Sequence, residues 1–398
     1  MALPRLLGFS LPPDQESAIA RVARLLLPSL LLGSLCLPAQ AQRVPLPLDA
    51  RLNEQVIMVP AGAGMHEILQ TTVFRPPGPG PFPLLLMNHG KQAGPARQQQ
   101  RERFIYMAAE FVRRGYAVML PMRAGYAGST GSYRDHGCDM AANAAGQARD
   151  VRDALAYARR QPWVDASRIV VAGQSYGGLA ALSLATQALP GVRGVLNFAG
   201  GLRVNDGVCD WQAALKQAFA ALGAASQVPS LWLYGENDGY FAPPLVRSLY
   251  RAYAGAGGQA ELFAYGAFKR DAHLTLGSRD GVDVWLAPTE RFLRRIGMPA
   301  APVVQLPEPA VPPATRFANR ADIGAVPYLA ESGRAAYRAF LGKLQPRAFA
   351  VSSSGAWGWA EEGESPELRA LDSCQQGSIA PCHLYVVDDS VVWPAGGQ

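Results

Sequence analysis

The most informative part of the sequence is Ile169-Val170-Val171-Ala172-Gly173-Gln174-Ser175-Tyr176-Gly177-Gly178. A short apolar run leads into one serine between two glycines, and an Ala/Leu-rich helical segment follows. This strand, G-x-S-x-G and helix pattern is typical of a sharp turn that exposes a serine hydroxyl, because glycine two residues on either side leaves room for the crowded backbone. The backbone N–H of Tyr176 would then lie at a helix N-terminus and could stabilise an oxyanion. The alternative is a Gly-Ser turn with no chemistry.

Short apolar segments alternate with helical patterns on both sides of this stretch. Other strands are predicted at 55–59, 67–74, 83–87, 116–120, 192–198, 230–234 and 261–265. Helices are predicted at 141–160, 211–222, 243–253 and 284–296. Such alternation is typical of an α/β fold with a mostly parallel sheet covered by helices on both faces. Ligands of such a sheet bind beyond the carboxyl ends of its strands.

A proline-rich segment follows this pattern. Six prolines fall within residues 299–313, which predicts a semi-rigid linker over 299–315 between a catalytic domain at 45–298 and a small α+β domain at 316–398. In the small domain we expect helices near 331–344 and 366–373, strands at 347–351 and 383–387, and a turn at Trp357-Gly358-Trp359. A domain of this size is marginally stable alone, and a disulfide between Cys374 and Cys382 could stabilise it.

The N-terminus has the features of a leader. Arg21 and Arg24 precede an apolar stretch from Leu25 to Leu37, and Ala-Gln-Ala ends at residue 41. We predict a signal peptide over residues 1–41, and hence a periplasmic or secreted protein. A retained anchor is less favoured, since thirteen apolar residues are too few to span a bilayer. Lipidation at Cys36 is disfavoured by the bulky residue before it.

Charge and cysteine content narrow the classes of partner. The net charge of +6 is mild for 398 residues and the arginines are scattered, so nothing indicates nucleic-acid binding.

Removal of the leader leaves four cysteines, Cys138, Cys209, Cys374 and Cys382. An even number in an oxidising compartment predicts two disulfides. No His and acid cluster has metal-ligand spacing, so neither a metal nor an organic cofactor is expected.

A nucleophilic serine needs a base and an orienting carboxylate. Of five histidines, only His273 follows the last predicted strand and precedes the final helix of the catalytic domain. The carboxylate should follow a strand between Ser175 and His273, and Asp238 is preferred over Glu236 because it lies farther round the loop. Three aspartates are weaker candidates: Asp206, Asp210 and Asp271.

The turn after an early strand should supply a second oxyanion donor, the backbone N–H of Gly90 or Lys91, which would join that of Tyr176. His89 is expected to shape this loop by hydrogen bonding. Lys91 and Arg123 are candidates for contact with an anionic part of a substrate.

With these residues the chain resembles the α/β-hydrolase superfamily, in particular its secreted dienelactone-hydrolase-like and prolyl-oligopeptidase-like serine hydrolases. The resemblance covers about residues 50–297 and is carried by Asn88-His89-Gly90, by the strand entry at 113–118, by Gly173 to Gly178, by Gly235-Glu236-Asn237-Asp238 and by His273. The order Ser175, Asp238, His273 is that of the superfamily. Two features depart from these relatives, since dienelactone hydrolases have cysteine in place of Ser175 and prolyl-oligopeptidase-like enzymes carry a propeller.

The resemblance implies an exported serine hydrolase of small carboxylic esters, with Ser175 as nucleophile, His273 as general base and Asp238 as its orienting acid. Two alternatives stay open, a serine peptidase of the prolyl-oligopeptidase-like type and a catalytically silent binding protein of the cell envelope. A Cys138–Cys209 bridge is expected beside the active site, because both cysteines follow strands at the carboxyl edge of the sheet. No membrane span is expected after leader removal, and the oligomeric state is left open.

Overall fold

The computed structural model describes residues 47–205 and 207–394. The predicted signal peptide and Asp206 therefore lie outside the described residues. Within the described ranges, no helix is both long and apolar enough to cross a bilayer.

Eight strands form the larger sheet: β1 (Gln55–Ala61), β2 (Glu67–Phe74), β3 (Phe82–Asn88), β4 (Ala117–Pro121), β5 (Val164–Gln174), β6 (Val192–Phe198), β7 (Ser230–Gly235) and β8 (Ala260–Tyr265). Their order across the sheet is β1-β2-β4-β3-β5-β6-β7-β8. The pairs β1–β2 and β2–β4 are antiparallel, and every other neighbouring pair is parallel. The predicted mostly parallel sheet is confirmed.

Six helices belong to this sheet: α1 (Ile105–Arg113), α2 (Met140–Ala158), α3 (Tyr176–Leu184), α4 (Trp211–Ala225), α5 (Pro243–Gly255) and α6 (Val282–Arg295). They cover both faces. Leu84 and Leu86 of β3 belong to one apolar cluster with α2 to α5, whereas Leu85 and Met87 belong to a second cluster with α1 and α6. Because both faces are buried, the central strands contain unbroken apolar runs, such as 84–87 and 169–172, rather than apolar residues at every second position only.

A second, antiparallel sheet follows in the C-terminal part, with the order β10-β9-β11-β12. Its strands and helices are α7 (Glu331–Phe340), β9 (Arg347–Ser352), β10 (Trp357–Glu361), α8 (Pro366–Gln375), β11 (Cys382–Val387) and β12 (Ser390–Val391). This arrangement confirms a small α+β unit with its own apolar clusters.

The predicted turn at Trp357-Gly358-Trp359 is wrong, since these residues begin β10. The turn was predicted because glycine, here Gly358, is common in turns. Here it lets the strand approach α8 closely, since a Cβ at this position would lie 2.3 Å from the backbone nitrogen of Cys374. The aromatic neighbours Trp357 and Trp359 pack against the other apolar cluster of the unit.

The segment between the two sheets has no helix or strand from 299 to 315. It is nevertheless attached to the larger sheet's helices, because the backbone N–H groups of Val303 and Val304 both donate to the carbonyl of Arg113, at 2.7 and 2.9 Å. The domain boundaries at 298 and 315 stay predictions.

The parallel strands place three loops at one edge of the sheet. β3, β5 and β7 run in the same direction, so the residues that follow them meet at the carboxyl edge. These loops carry Gly90, Ser175 and Asp238.

Candidate active site

Ser175 lies in the turn between β5 and α3 in a strained conformation. Its φ and ψ are 54° and −124°, a region that residues with a side chain rarely occupy. The flanking glycines make this turn possible. A Cβ on Gly173 would lie 2.0 Å from the carbonyl oxygen of Gly177, and a Cβ on Gly177 would lie 2.1 Å from that of Asn88. Both positions of the G-x-S-x-G pattern therefore exclude any side chain.

Asp238 and His273 form a buried pair. His273 Nδ1 lies 3.0 Å from Asp238 Oδ2 and 3.2 Å from Oδ1, and the aspartate side chain has no exposed surface. Asp238 Oδ1 also accepts the backbone N–H groups of Tyr240 and Phe241, at 2.8 and 2.9 Å. These donors fix the carboxylate toward the imidazole. The ring of Tyr240 packs on the imidazole, with 4.5 Å between the ring centroids.

Two further side chains join the loop of Asp238 to the loop of His273. Asp271 Oδ1 accepts the backbone N–H of both Gly239 and His273, each at 2.9 Å. Asn237 accepts the N–H of Phe268 at 2.9 Å and donates back to the same loop. The two loops are thus held together on both sides of the buried pair.

The other acids considered from the sequence lie elsewhere. Asp210 accepts the N–H of Ala213 at 3.0 Å and so caps the N-terminus of α4. Glu236 is exposed. Asp271 faces the backbone of His273 rather than its imidazole.

Ser175 and His273 line the same cleft. The turn of Ser175 and the loop of His273 are joined by Gln174, whose Nε2 donates to the carbonyl of His273 at 3.2 Å. Among the described residues, Ser175 Oγ makes no hydrogen bond to the imidazole. Catalytic hydrogen bonds are often long without substrate and shorten when substrate binds.

Two of the residues expected to supply oxyanion donors, Tyr176 and Gly90, lie next to the serine. Tyr176 is the first residue of α3, so its N–H has no partner within the helix. Gly90 approaches from the turn after β3, where a Cβ would lie 3.2 Å from the Cβ of Ser175 and 2.5 Å from Gln174 Oε1. No hydrogen bond within the described chain uses the N–H of Tyr176, Gly90 or Lys91.

The buried side chain of His89 forms hydrogen bonds that support the turn after β3. It is fully buried, its Nδ1 lies 2.7 Å from the carbonyl of Gly90, and its Nε2 accepts the N–H of Arg123 at 3.1 Å. Burial, with the nearby Arg123 charge, lowers the pKa of His89 well below its usual value, so the ring is neutral. A neutral ring that accepts at Nε2 donates from Nδ1. His89 therefore orients Gly90, as the sequence indicated.

Arg123 is not a substrate contact, which corrects the sequence interpretation. It is fully buried, donates to the carbonyl of His89 at 2.6 Å and to Gln147 Oε1 at 2.6 Å, and its guanidinium lies near the ring of Tyr176. Its position after a strand end suggested a loop residue, yet its side chain is buried behind the turn after β3 and supports that turn through His89. Lys91 does line the cleft, and its Nζ donates to the carbonyls of Gln92 and Gly94.

The cleft has a volume of about 440 Å³. Its lining comes from the turn after β3 with the segment up to Phe104, from the loops of Ser175, Asp238 and His273, and from residues 362–365 and Arg369 of the C-terminal unit. The contribution of the C-terminal unit was missed from the sequence. No local pattern signals it, because nearly 190 residues separate Ser175 from this segment.

Both predicted disulfides are present. Cys138–Cys209 joins the loops ahead of α2 and α4, and Cys374–Cys382 joins the last turn of α8 to the start of β11. None of the four cysteines lines the cleft. Among the described residues, no group of three or more His, Cys, Asp or Glu side chains is placed to hold a metal.

The family model of the X-Pro dipeptidyl-peptidase (S15 family) matches residues 67–230. The match includes the turn of Ser175 and ends before Asp238 and His273. We found no match among curated proteins.

Several solved structures are similar to this chain. A putative dienelactone hydrolase from Klebsiella pneumoniae is 16% identical, with a TM-score of 0.44, 61% of this chain and 98% of that chain covered. An esterase from Pyrococcus furiosus is 14% identical, with a TM-score of 0.47, and the match covers 64% of this chain and 97% of that chain. A puromycin-hydrolyzing peptidase from Mycobacterium tuberculosis is 16% identical, with a TM-score of 0.46 and 64% of this chain covered, but the match spans only 41% of that protein.

Proposed function

We propose that this chain, a serine hydrolase of the α/β-hydrolase type, cleaves small carboxylic esters through an acyl-enzyme. The observation that carries the proposal is the buried Asp238–His273 pair, whose imidazole lines the same cleft as Ser175. Their chain order, Ser175 then Asp238 then His273, is the order of this fold's hydrolases.

In this mechanism Ser175 Oγ attacks the ester carbonyl while His273 Nε2 accepts the hydroxyl proton. Asp238 accepts the Nδ1–H of His273, which keeps Nε2 free as the base and stabilises the imidazolium that forms. The imidazolium then returns the proton to the leaving alkoxide. A water molecule, activated by the same ring, hydrolyses the acyl-enzyme and regenerates Ser175.

The negative charge on the carbonyl oxygen is stabilised by backbone donors. The N–H of Tyr176 at the start of α3 and the N–H of Gly90 or Lys91 have no partner within the described chain, and the proximity of Tyr176 and Gly90 to Ser175 supports this role. One such donor contributes about 3 kcal/mol to transition-state stabilisation.

A peptidase activity is the second candidate, because the matching family model is that of an X-Pro dipeptidyl-peptidase. The same three residues would then act on an amide, whose leaving group must be protonated before it departs. Esters are the first choice, since an alkoxide leaves more readily than an amine.

Export to the periplasm or the medium is part of the proposal. The two disulfides of the described chain support it, because disulfides persist in oxidising compartments and are rare in the cytosol.

The test is labelling of the purified protein by a fluorophosphonate, together with turnover of p-nitrophenyl esters and of a Xaa-Pro p-nitroanilide. We expect Ser175→Ala to abolish labelling and to lower kcat by at least about 10⁴-fold. The control is Ser183→Ala, a buried serine on α3, which should still be labelled. Absence of labelling in the unaltered protein would overturn the proposal, and turnover of the anilide in excess of the esters would favour the peptidase.

A further inference from the structure

The C-terminal unit supplies a wall of the catalytic cleft. Residues Glu362, Gly363, Glu364 and Ser365, between β10 and α8, line the same cleft as Ser175 and His273. The two parts of the chain therefore share one site, although each has its own sheet and apolar clusters.

One attachment of this wall is at the start of α1. Phe104, which precedes the helix, has a φ of 45° and provides no side-chain cap. Glu364 Oε1 accepts the N–H of Ile105 at 2.7 Å, a donor with no partner within α1, and so caps the helix. Tyr106 Oη also donates to the carbonyl of Gly363 at 3.4 Å. Residues of the C-terminal unit thus cap the N-terminus of α1, a helix of the larger sheet.

A second attachment is on the loop that carries the proposed base. Lys269 Nζ lies 3.5 Å from Glu362 Oε1, and Arg270 lies 3.2 Å from Glu361 Oε1. Lys269 also donates to the carbonyl of Gln345 at 2.7 Å. Because this loop leads directly to His273, the wall has a fixed position relative to the catalytic groups.

The size and lining of the cleft restrict what can enter. A volume of about 440 Å³ is near the lower end of the range of small-molecule sites, about 300–1,000 Å³. Of the lining side chains, only Phe104, Tyr240 and Leu274 are large and apolar, and seven are charged. A long aliphatic chain in this cleft would cover these charged groups and reduce their contact with water, which is unfavourable.

We infer that residues 362–365 of the C-terminal unit are a specificity wall that selects compact, polar acyl groups and excludes long aliphatic ones. The inference rests on the proposed function, because it concerns the substrates of the same Ser175. It assigns the C-terminal unit a direct part in substrate choice.

The experiment compares p-nitrophenyl acetate with p-nitrophenyl octanoate. We expect the unaltered protein to favour acetate in kcat/KM by about tenfold or more, since discrimination in a binding pocket reaches 10–200-fold. Glu362→Leu replaces a charge of the wall by an apolar side chain of similar length, and it should raise the octanoate-to-acetate ratio by about tenfold. Glu364→Leu is the second variant, in case either substitution prevents folding.

The matched control is Glu331→Leu, a substitution of an exposed glutamate on α7 that does not line the cleft. It should leave the ratio unchanged. The inference is wrong if the unaltered protein hydrolyses octanoate as well as acetate, or if both wall variants keep the original ratio while still accepting the fluorophosphonate. Failure of the proposed function has a different result, namely no labelling and no turnover of either ester by the unaltered protein.

Discussion

Asp238 and Asp271 both contact His273, but Asp238 contacts the imidazole and Asp271 contacts the backbone. Asp238 Oδ2 lies 3.0 Å from Nδ1 of the ring, and Asp271 Oδ1 accepts the N–H of His273 at 2.9 Å. The second carboxylate also accepts the N–H of Gly239, next to Asp238. One acid therefore orients the ring while the other holds together the loops that bring ring and acid into contact.

This difference predicts two distinct phenotypes. Asp238→Asn should lower kcat by about 10⁴-fold, because an amide favours the wrong tautomer of the imidazole. Asp271→Ala removes two hydrogen bonds to backbone and should lower kcat by about 10–100-fold, since a small displacement of a catalytic group costs about that much. Steady-state kinetics with p-nitrophenyl acetate, normalised to the fraction labelled by fluorophosphonate, measures both. A larger loss in Asp271→Ala than in Asp238→Asn would reverse the assignment of the two acids.

The turn after β3 provides the second prediction. Gly90→Ala would place a Cβ 2.5 Å from Gln174 Oε1 and 3.2 Å from the Cβ of Ser175. Gln174 must then move and weaken its hydrogen bond to the carbonyl of His273. We expect kcat to fall by about 10²-fold, with a smaller change in KM, because the oxyanion donor shifts.

The control for this change is Gly266→Ala, since a Cβ at Gly266 meets open space and its φ is not positive. Its kinetics should match those of the unaltered protein. If Gly90→Ala retains full kcat, the backbone near Gly90 plays no part in oxyanion stabilisation.

The main sheet and the three candidate catalytic residues could be predicted because their signals are local. Strands that are buried on both faces contain runs of apolar residues. The turn of Ser175 needs glycine at Gly173 and Gly177, two residues on either side of the serine. Asp238 and His273 follow strands whose carboxyl ends share one edge of the sheet. The residues near one strand end are therefore enough to indicate each of these features.

The features that could not be predicted depend on packing between distant segments. Arg123 occupies a loop position but points inward, because the carbonyl of His89 and the amide of Gln147 accept its hydrogen bonds. Gly358 lies in a strand because α8 packs closely on it. Glu364 reaches the cleft only because the C-terminal unit docks on α1. The sequence of the segment that contains each residue does not indicate any of these contacts.

The disulfides should differ in their contribution to stability. Cys138 and Cys209 are separated by 71 residues, and Cys374 and Cys382 by 8. On the chain-entropy estimate the longer loop contributes about 4 kcal/mol to the free energy of unfolding and the shorter about 2.5 kcal/mol. Denaturant unfolding of the Cys138→Ala/Cys209→Ala and Cys374→Ala/Cys382→Ala variants measures the two losses. Equal losses, or a larger loss for the shorter loop, would contradict this ranking.

The contact between Glu364 and α1 should make stability depend on pH. Burial, together with the charges of Glu102 and Glu54, raises the pKa of Glu364 from 4.5 to about 7, against the opposing effects of the Ile105 N–H and Arg103. The folded chain therefore binds this proton more tightly than the unfolded chain does. The stability contributed by Glu364 is complete below about pH 4.5 and is lost as the pH rises toward 7.

Glu364→Gln separates this titration from the hydrogen bond, because the amide oxygen can still accept the N–H of Ile105 but carries no charge. At pH 5 we expect the melting temperatures of the variant and of the unaltered protein to agree. At pH 8 the variant should melt about 3 °C or more higher, because it lacks the buried charge. Thermal unfolding from pH 5 to pH 8 measures this difference, with Glu331→Gln on the exposed face of α7 as the control. Parallel curves for Glu364→Gln and the unaltered protein would mean that Glu364 does not titrate in this window, and that its carboxyl contributes to the docking of the C-terminal unit only as a hydrogen-bond acceptor.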